Sequence, residues 1–405
     1  MAGACGIASA SVRAYVQIGI DACCWGNRRG FGRFTRELLQ ALLEIDGRNE
    51  YLFFIDSETT DVDDIPERVE KVTAKTEFSQ VKAAAAGGRR SLSDVWAMSR
   101  AVSKHKVDVF FFPAVYSYFP IFNRTKVLLT LHDVIADHHP ELIFPNARSK
   151  YLWKLKQRVA IGQADLIATV SENSKKQIVD YFRLPESSLR VISEAARPIF
   201  KVLPTNNGFV STLGHYGLVS GEKFLLYVGG ISPHKNLSRL IDACKEIDDS
   251  NDTLKLVLVG DYRDDPFFSA YPQLSTHVAN LGLNGKVVFT GFVPDEDLAY
   301  LYNAATLLVF PSLEEGFGLP AIEAMACGTP VAASRAGSLP EILGPVGRFF
   351  NPLNVTDMSR VIREVLTDEP LRQQMRSDGL KRSNSFQWQR AAEETLSIFE
   401  ELHRN

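Results

Sequence analysis

Residues 310–328 read FPSLEEGFGLPAIEAMACG, and this stretch decides the fold. The apolar run before it predicts a buried strand that ends at Phe310. Gly316 and Gly318 allow a close backbone approach or a positive φ. Pro320 suits the first turn of a helix, and Gly328 suits the position just after its end. The stretch therefore predicts a strand, a glycine-rich loop and a short helix whose N-terminus faces the strand tip.

Such a helix start is a ready site for an anion, because its free N–H groups and its dipole both favour negative charge. Glu315 lies in the loop before the helix and Glu323 on its inner turns. A carboxylate beside an anion site is suited to accept hydrogen bonds from the hydroxyls of a sugar or ribose. The alternative is a glycine-rich turn with a solvated glutamate at each end, and the spacing alone does not decide between the two.

A second loop of the same kind lies at residues 227–236, YVGGISPHKN, after another apolar run. Lys235 stands where a helix is expected to begin near Asn236, and from there its ammonium reaches a phosphate. The alternative is a solvated lysine at a helix start.

Outward from these loops, apolar strands alternate with helical patterns such as Phe34 to Leu43. The predicted strands are Val16–Asp21, Tyr51–Ile55, Val107–Phe112, Lys126–His132, Leu166–Val170, Arg190–Ile192, Phe224–Val228, Leu254–Val259, Val287–Phe289, Thr306–Phe310, Val331–Ala333 and Gly347–Phe350. Continuous apolar strands indicate parallel sheets that are covered on both faces. The pattern breaks over 195–222, where proline and glycine predict a linker. It predicts two doubly wound α/β domains in tandem, followed by an amphipathic helix over Trp388 to Leu402.

Composition excludes several classes of protein. The 405 residues are 45% hydrophobic and 23% charged, which excludes a disordered or fibrous chain. The net charge of −3 disfavours a general nucleic-acid binder. Five scattered cysteines without a Cys-x-x-Cys pair indicate neither a disulfide framework nor a zinc site, and they favour a reducing compartment. No stretch of about 20 apolar residues predicts a membrane-spanning helix.

Several motifs together resemble one known family. Glu315 and Glu323 form a Glu-x7-Glu pair, and LVLVGD (256–261) and VVFTGFVPDEDLAYLYNAA (287–305) precede them. With YVGGISPHKN, these motifs resemble the retaining glycosyltransferases of family 4, which include sucrose synthase and sucrose-phosphate synthase. The N-terminal half resembles the family more loosely, through GNRRGFGRFTRELL (26–39).

The resemblance implies the GT-B fold, an α/β architecture of two Rossmann-like, doubly wound domains that face a central cleft. An acceptor-binding domain is expected over 14–205 and a nucleotide-sugar-binding domain over 206–385. The small-residue composition of residues 1–13 predicts a disordered lead-in before them. A final helix over 386–405 is expected to cross back to the N-terminal domain.

The resemblance also implies roles for single residues. Glu323 would hold the ribose of the donor, Glu315 would meet the hydroxyls of the donor sugar, and Lys235 would neutralise the diphosphate leaving group. Lys235, Glu315 and His132 are the expected catalytic set. The other expected donor-binding residues are Gly30, Gly32, Arg33, Gly230, Ser232, Phe292, Val293, Gly316, Phe317, Gly318 and Leu319.

One position departs from the family pattern. Many members carry an arginine where this chain has Gly230, and that arginine contacts the diphosphate. His234 could replace it, as could Arg29 or Arg33 from the N-terminal glycine-rich loop. We favour an arginine from that loop.

His132 follows a predicted strand and has three interpretations. The resemblance places it beside the donor sugar, where either its side chain or its backbone contacts the sugar. It could instead be structural, or it could form a metal cluster with Asp133, Asp137, His138 and His139. No essential metal and no cofactor are expected.

Two stretches offer acceptor or partner surfaces. The basic run over 148–158 carries leucine, tryptophan and tyrosine, and it predicts either peripheral contact with a membrane or a solvated face whose Leu and Trp turn to the core. The aromatic run from Phe110 to Phe119 predicts either an acceptor pocket or core packing.

The expected function is transfer of a hexose from a nucleotide-diphosphate sugar to a hydroxyl of a glycan or lipid-linked acceptor, in the cytoplasm or at the inner face of the membrane. GDP-mannose is the first expected donor, and UDP-glucose or UDP-N-acetylglucosamine is next. The alternatives are a GT-B sugar-nucleotide epimerase and a catalytically silent subunit that binds nucleotide sugar. No nucleic-acid partner is expected.

Overall fold

The structure, a computed structural model, describes residues 15–59, 65–79, 91–204, 207–248, 254–262 and 269–404. The predicted lead-in over 1–13 lies outside these residues.

The described residues form two parallel sheets. The strands are β1 Gln17–Asp21, β2 Glu50–Ile55, β3 Glu70–Thr73, β4 Val109–Phe112, β5 Lys126–Thr130, β6 Leu166–Thr169, β7 Leu189–Val191, β8 Phe224–Val228, β9 Lys255–Val259, β10 Val287–Gly291, β11 Leu307–Phe310, β12 Val331–Ser334 and β13 Arg348–Phe350. The order in the first sheet is β3-β2-β1-β4-β5-β6-β7, and in the second it is β10-β9-β8-β11-β12-β13.

Helices cover both sheets. They are α1 Gly30–Ile45, α2 Leu92–Ser103, α3 Ile135–His138, α4 Pro140–Ile143, α5 Ala147–Gln163, α6 Glu172–Phe182, α7 Asn207–His215, α8 Leu237–Asp248, α9 Tyr271–Asn280, α10 Asp295–Ala304, α11 Leu319–Ala326, α12 Leu339–Leu343, α13 Val355–Thr367, α14 Glu369–Ser383 and α15 Trp388–Arg404. No helix among the described residues is both long enough and apolar enough to cross a bilayer.

The strand order reverses between β1 and β4 in the first sheet and between β8 and β11 in the second. Ligands of open parallel sheets bind at such switch points, beyond the carboxyl ends of the strands. The loops after β8 and β11 are the two loops that the sequence singles out. The central strands are buried along their whole length, as β8 (FLLYV) shows, because helices cover both faces.

The predicted doubly wound sheets are confirmed, and every predicted strand is present with a shift of at most two residues at either end. The prediction missed β3, which pairs only with β2 at the edge of the first sheet and is mostly exposed. An edge strand lacks the apolar run of a buried one, so its sequence, EKVT, gave no signal.

Two predictions of local structure were wrong. Helix α1 begins at Gly30 rather than near Phe34, so Gly30, Gly32 and Arg33 lie in its first turn and not in a loop. The first N–H groups of a helix need no partner within it, and glycine there costs less than in the interior. The predicted linker also contains helix α7, whose Phe209 packs edge-to-face on Tyr300 of α10.

The C-terminal helix α15 packs on the first sheet's side of the molecule. Trp388 lies edge-to-face against Phe34 of α1, and Phe399 against Phe111 of β4. Arg190, in β7, donates to Glu401. The last helix therefore packs against the N-terminal half of the chain.

Candidate active site

Helix α11 begins beside the tip of β11. Gly318 precedes it with φ +104°, and a Cβ there would lie 2.7 Å from Leu339 Cδ2, so glycine is required. Pro320 lies in the first turn, and Gly328, with φ +78°, follows the end of the helix. The local fold is the one that the sequence predicts, and it leaves the free N–H groups of the first turn at the carboxyl edge of the sheet.

Lys235 and Glu315 meet in front of this helix. Lys235 Nζ lies 2.6 Å from Glu315 Oε1, and both side chains are largely buried. The pair joins the loop after β8 to the loop after β11. A cation and a carboxylate are thus fixed next to a helix N-terminus, where they can address a phosphate and a hydroxyl respectively.

Basic side chains lie near His234, which shares the turn Pro233–Lys235 with Lys235. Burial, followed by Lys235, His139 and Arg29, lowers the pKa of His234 to about 2, so its imidazole is neutral. Arg29 comes from the first domain, and burial lowers the pKa of its guanidinium to about 10. Basic groups from both halves of the chain therefore lie near this turn and disfavour the protonated form of His234.

Glu323 is fully buried on α11 and has two partners. Arg33 Nη1 donates to its Oε1 at 2.5 Å, and the Tyr302 hydroxyl donates to its Oε2 at 2.9 Å. Burial raises the pKa of Glu323, and Arg33 opposes that shift more than any other group. The carboxylate of the second domain is therefore matched by an arginine of the first.

Arg33 does not stand alone at this contact. It also donates to Asp295 at the start of α10, whose other oxygen accepts from Arg197. Arg197 in turn pairs with Glu37 of α1 at 2.8 Å. Two arginines and three carboxylates thus form one network that bridges the two sheets. The sequence analysis did not find it, because its partners lie up to 290 positions apart.

The expected donor-binding residues Phe292 and Val293 lie in the turn between β10 and α10. Phe292 is 45% exposed, whereas Val293 is buried in the core. The guanidinium carbon of Arg28 lies 4.7 Å from the centre of the Phe292 ring. The turn therefore offers one open aromatic face, with an arginine of the first domain against it.

The remaining predicted residues of the loop after β8 are close by. The Gly230 carbonyl accepts from the Tyr227 hydroxyl at 2.8 Å, and Ser232 Oγ lies 3.2 Å from His234 Nδ1. A Cβ on Gly230 would meet only Ser232 Oγ, at 3.8 Å. In the first domain, Gly30 is open to solvent, but a Cβ on Gly32 would lie 2.0 Å from the Asn27 carbonyl oxygen.

Gly316 is the point where the loop after β11 touches the first domain. Its carbonyl accepts from the hydroxyls of Ser171 and Ser174, at 2.7 and 2.9 Å. A Cβ there would lie 2.8 Å from the carbonyl oxygen of His132 and 3.0 Å from Asp133 Cβ. Only glycine allows this approach without displacement of backbone.

His132 is engaged within its own domain. Its Nε2 lies 3.0 Å from the carbonyl oxygen of Pro113, so Nε2 carries the hydrogen, and Nδ1 lies 3.7 Å from Glu194. The imidazole packs edge-to-face on Phe34. The side chain is therefore engaged inside the first domain, while the His132 carbonyl oxygen lies next to Gly316 of the second. Among the described residues, no three His, Cys, Asp or Glu side chains are grouped so as to hold a metal ion.

The side chains of Phe317 and Leu319 are buried in the core. The Ser338 hydroxyl donates to the backbone carbonyls of Phe317 and Glu315, at 2.7 and 3.1 Å. Only backbone groups of these two predicted residues are therefore left for a ligand.

A second contact between the domains centres on Glu314, which is buried. It accepts from Gln177 at 2.6 Å and lies 3.0 Å from His138 Nδ1, and His139 Nε2 lies 3.2 Å from its other oxygen. The sequence analysis grouped these histidines as one possible metal cluster. The structure instead places both on a carboxylate of the opposite domain.

The structure decides between the alternatives for the aromatic run from Phe110 to Phe119 and for the basic run over 148–158. Phe110, Phe112 and Phe119 are fully buried and pack on one another, so the aromatic run is core. In α5, Trp153 turns inward against Tyr116, but Leu152 and Leu155 are 53% and 48% exposed. The interpretation that turned those leucines to the core was wrong.

Comparison with known families accounts for both halves of the chain. Residues 28–195 match the model of Glycosyltransferase Family 4, and residues 214–382 match that of Glycosyl transferases group 1. The O-antigen chain mannosyltransferase B of Escherichia coli is 30% identical over 280 residues, which cover 68% of this chain and 71% of that protein. The chain belongs to the glycosyltransferase family that these two models and this relative represent.

A further relative is much longer than this chain. The serotype-specific mannosyltransferase WbdA of Escherichia coli is 32% identical over 286 residues, or 68% of this chain. That match covers only 34% of WbdA, so the chain spans about a third of that relative's length.

Solved structures with lower sequence identity share the two-domain GT-B fold. Sucrose-phosphate synthase from Thermosynechococcus elongatus superposes with a TM-score of 0.75 at 20% identity, covering 96% of this chain and 99% of that one. Alr3699/HepE of Anabaena, in complex with UDP-glucose, gives 0.70 at 20% identity, covering 95% and 100%. The predicted GT-B architecture is thus confirmed.

Proposed function

We propose that this glycosyltransferase transfers a hexose from a nucleotide-diphosphate sugar to a hydroxyl of a glycan or lipid-linked acceptor, with retention at the anomeric carbon. The observation that carries the proposal is the Lys235–Glu315 pair at the N-terminus of α11, 2.6 Å apart. Arg29 of the other domain lies near the turn that carries Lys235, where it disfavours the protonated form of His234. Cations at a helix N-terminus are suited to a diphosphate, and the carboxylate is suited to a sugar hydroxyl.

In this proposal the basic groups and the helix N-terminus act mainly on the leaving group. Negative charge grows on the diphosphate as the glycosidic bond breaks, so Lys235 and the N–H groups of α11 stabilise the transition state more than the ground state. Glu315 orients the donor sugar through its hydroxyls, and the backbone at His132 and Gly316 closes the site. The leaving phosphate takes the proton of the acceptor hydroxyl on the same face of the sugar. A fixed carboxylate nucleophile, as in retaining glycosidases, is not required.

GDP-mannose is the first donor we propose, because two of the relatives, WbdA and the O-antigen chain mannosyltransferase B, are mannosyltransferases. The UDP-glucose complex of HepE supports UDP sugars as the second candidates. We further propose that the reaction needs neither a cofactor nor a metal ion.

The acceptor domain offers a surface for a lipid-linked acceptor. Exposed residues of α5 recur at helical spacing on one face: Arg148, Tyr151, Leu152, Leu155, Arg158 and Val159. The helix carries five basic residues and no acidic one. Phe122, 64% exposed, follows Ile121, whose backbone hydrogen-bonds to Gln163 at the end of α5. An apolar and cationic face of this kind suits the surface of an anionic membrane, and peripheral contact there is part of the proposal.

The test measures melting temperature and calorimetric affinity with GDP, UDP and ADP and their sugar nucleotides, with and without EDTA. A ligand that binds only the folded state raises the melting temperature by mass action. We expect one base to be preferred by at least tenfold, with no effect of EDTA. The Glu323→Ala variant should bind every nucleotide more weakly, since all of them carry the ribose, and Arg390→Ala, at an exposed arginine of α15, serves as the matched control.

Transfer is then followed with the preferred donor and a panel of glycan and lipid-linked acceptors. Product with the donor's anomeric configuration supports the proposal. Absence of nucleotide binding contradicts it. Binding without transfer to any acceptor favours the silent subunit, and interconversion of the sugar nucleotide itself favours the epimerase.

A further inference from the structure

The loop between β11 and α11 packs closely on the residues that lead into α12. A Cβ on Gly337, which has φ +57°, would lie 2.6 Å from the backbone nitrogen and oxygen of Glu315. At the other end of the loop, a Cβ on Gly318 would lie 2.7 Å from Leu339 Cδ2. The backbone of the loop therefore follows residues 337–339 at close range, with Ser338 in the middle of the contact.

Ser338 is fully buried, and both of its donors are used on this loop. Its hydroxyl oxygen lies 2.7 Å from the carbonyl oxygen of Phe317 and 3.1 Å from that of Glu315. Its N–H donates to the Glu315 carbonyl at 3.1 Å. A hydroxyl has one hydrogen, so its main acceptor is the nearer carbonyl, that of Phe317. Among the described residues, Ser338 is the one donor to that carbonyl.

The geometry of the peptide bond converts this contact into an orientation for an N–H group. The described chain has no cis peptide bond, and in a trans peptide the N–H points opposite to the carbonyl. Because the Phe317 carbonyl faces Ser338, the Gly318 N–H points away from α12. Gly318 is buried, yet no described residue accepts a hydrogen bond from this N–H. A buried N–H without a partner is costly, so this one is suited to a ligand.

Without the Ser338 hydroxyl, the peptide between Phe317 and Gly318 could rotate. A peptide flip changes ψ of the first residue and φ of the second, and glycine tolerates both signs of φ. Gly318, at φ +104°, is the second residue here. In the flipped peptide the Phe317 carbonyl oxygen would take the place of the Gly318 N–H. An acceptor would then stand where a donor stood, and it would repel a phosphate.

The neighbouring peptide is held differently. The Gly316 carbonyl accepts from two hydroxyls, those of Ser171 and Ser174. Loss of either one leaves the other in place, whereas the Phe317 carbonyl depends on Ser338. Ser338 is therefore the position at which a single substitution frees a peptide of the loop.

We infer that Ser338 is a positioning residue that keeps the Gly318 N–H directed at the diphosphate of the donor. The inference rests on the proposed function, since it assumes that the diphosphate lies at the N-terminus of α11. Ser338 acts through the peptide that joins Phe317 to Gly318 rather than by contact with the donor. Its effect should therefore be confined to ligands that carry phosphate.

The first experiment compares the wild type with Ser338→Ala, which removes the hydroxyl and keeps the backbone N–H. Calorimetry gives the affinity for GDP and UDP and for guanosine and uridine, and kcat is measured with the preferred donor. We expect kcat to fall about tenfold or more, the lower range for loss of a preorganised donor. The preference for the diphosphate over its nucleoside should shrink by a similar factor, and the affinity for the nucleoside should be unchanged.

Two further variants separate positioning from folding. Ser338→Thr keeps the hydroxyl and should restore both kcat and the preference for the diphosphate. Ser383→Ala removes another buried hydroxyl of the second domain, one that donates to the Leu380 carbonyl at 3.0 Å in α14, and it should behave as the wild type. A substitution that only weakened the fold would lower the affinity for nucleoside and diphosphate alike.

A spectroscopic measurement observes the peptide itself. The chain contains two Phe–Gly pairs, at 31–32 and 317–318, so isotope labels on the phenylalanine carbonyl carbon and the glycine nitrogen select two amide signals. Phe31→Leu removes the first pair and thereby assigns both signals. We expect GDP or UDP to move the Gly318 amide proton downfield in the wild type, because a hydrogen bond to phosphate deshields it. In Ser338→Ala the same nucleotide should move it much less.

The outcomes are distinct. If the wild type binds GDP or UDP but the Gly318 amide does not respond, the inference is overturned while the proposed function stands. A folded Ser338→Ala with wild-type kcat and wild-type preference for the diphosphate also overturns it, as do equal losses for nucleoside and diphosphate. If Ser338→Ala does not fold, Ser338→Cys, whose thiol is a weaker donor, takes its place, and a wild-type preference there overturns the inference. If the wild type binds neither nucleotide, the proposed function fails and the inference fails with it.

Discussion

Lys235 Nζ and Glu315 Oε1 lie 2.6 Å apart, although 80 residues separate them in the chain. The strand order places β8 beside β11, so the loops that follow these strands are neighbours. The pair lies at the topological switch point, where the geometry of a doubly wound sheet directs a ligand. The chemistry that we propose is therefore placed by sheet topology rather than by local sequence.

Lys235→Met and Glu315→Gln should each reduce turnover at saturating donor by about 100- to 1,000-fold, the effect of removing one preorganised group from a site of developing charge. The fold loss of kcat in the double variant should be much smaller than the product of the two single losses, because the residues act as a unit. The measurement is kcat for the three proteins, with melting temperatures to verify folding. Strictly multiplicative losses would show that the two residues act independently.

Arg29→Met should weaken binding of the nucleoside diphosphate about 10- to 100-fold, in keeping with about 1.5–3 kcal/mol for a hydrogen bond to a charged group. The affinity for the nucleoside, which carries no phosphate, should be the same in the variant as in the wild type. Gly230→Arg, added to Arg29→Met, should restore affinity, since a Cβ at Gly230 meets only Ser232 Oγ at 3.8 Å. Calorimetry tests all three proteins. Equal loss for nucleoside and diphosphate would argue against a phosphate contact at Arg29.

Gly316→Ala should lower kcat by at least tenfold, because its Cβ would lie 2.8 Å from the His132 carbonyl and would push the two domains apart. The hydrogen bonds from Ser171 and Ser174 would be stretched at the same time. Gly162→Ala is the matched control, since a Cβ there, in α5, meets nothing within 4 Å. Wild-type kcat in Gly316→Ala would show that this close approach is not needed.

Acidification should destabilise the fold through His234. Burial holds the pKa of this imidazole near 2 in the folded protein, against about 6.5 in the unfolded chain. The unfolded state therefore binds the extra proton between these values, and stability falls as the pH drops below about 6.5. The drop in melting temperature from pH 7.5 to pH 5.5 should be larger in the wild type than in His234→Asn. Equal drops would show that His234 is accessible to protons in the folded state.

Replacing Leu152 and Leu155 by serine should weaken binding to vesicles that contain anionic lipid by about tenfold or more, because two exposed leucines can be buried in the bilayer surface. Leu353→Ser is the control, since Leu353 is 63% exposed but lies in the second domain. Co-sedimentation at two salt concentrations measures the effect. Vesicle binding that is the same in both variants and the wild type would remove α5 from the proposal.

The sequence could predict much of the site because its parts are local. Residues 310–328 encode a strand, a loop and a helix through apolar content, glycine and proline, and these act over a few positions. The boundaries of α1 were harder to predict, since the glycines at 30 and 32 read as loop. Gly32 lies in the helix because its missing side chain allows contact with the Asn27 backbone.

What the sequence by itself determined was the alternation of buried strands and helices, the two glycine-rich loops and the family resemblance. The tertiary structure alone decided which charges meet: Arg33 with Glu323, and Glu314 with His138 and His139. Hydrophobic periodicity is a property of neighbouring residues and can be read along the chain. An ion pair between domains depends on how two separately folded surfaces are positioned, and no local pattern records that arrangement.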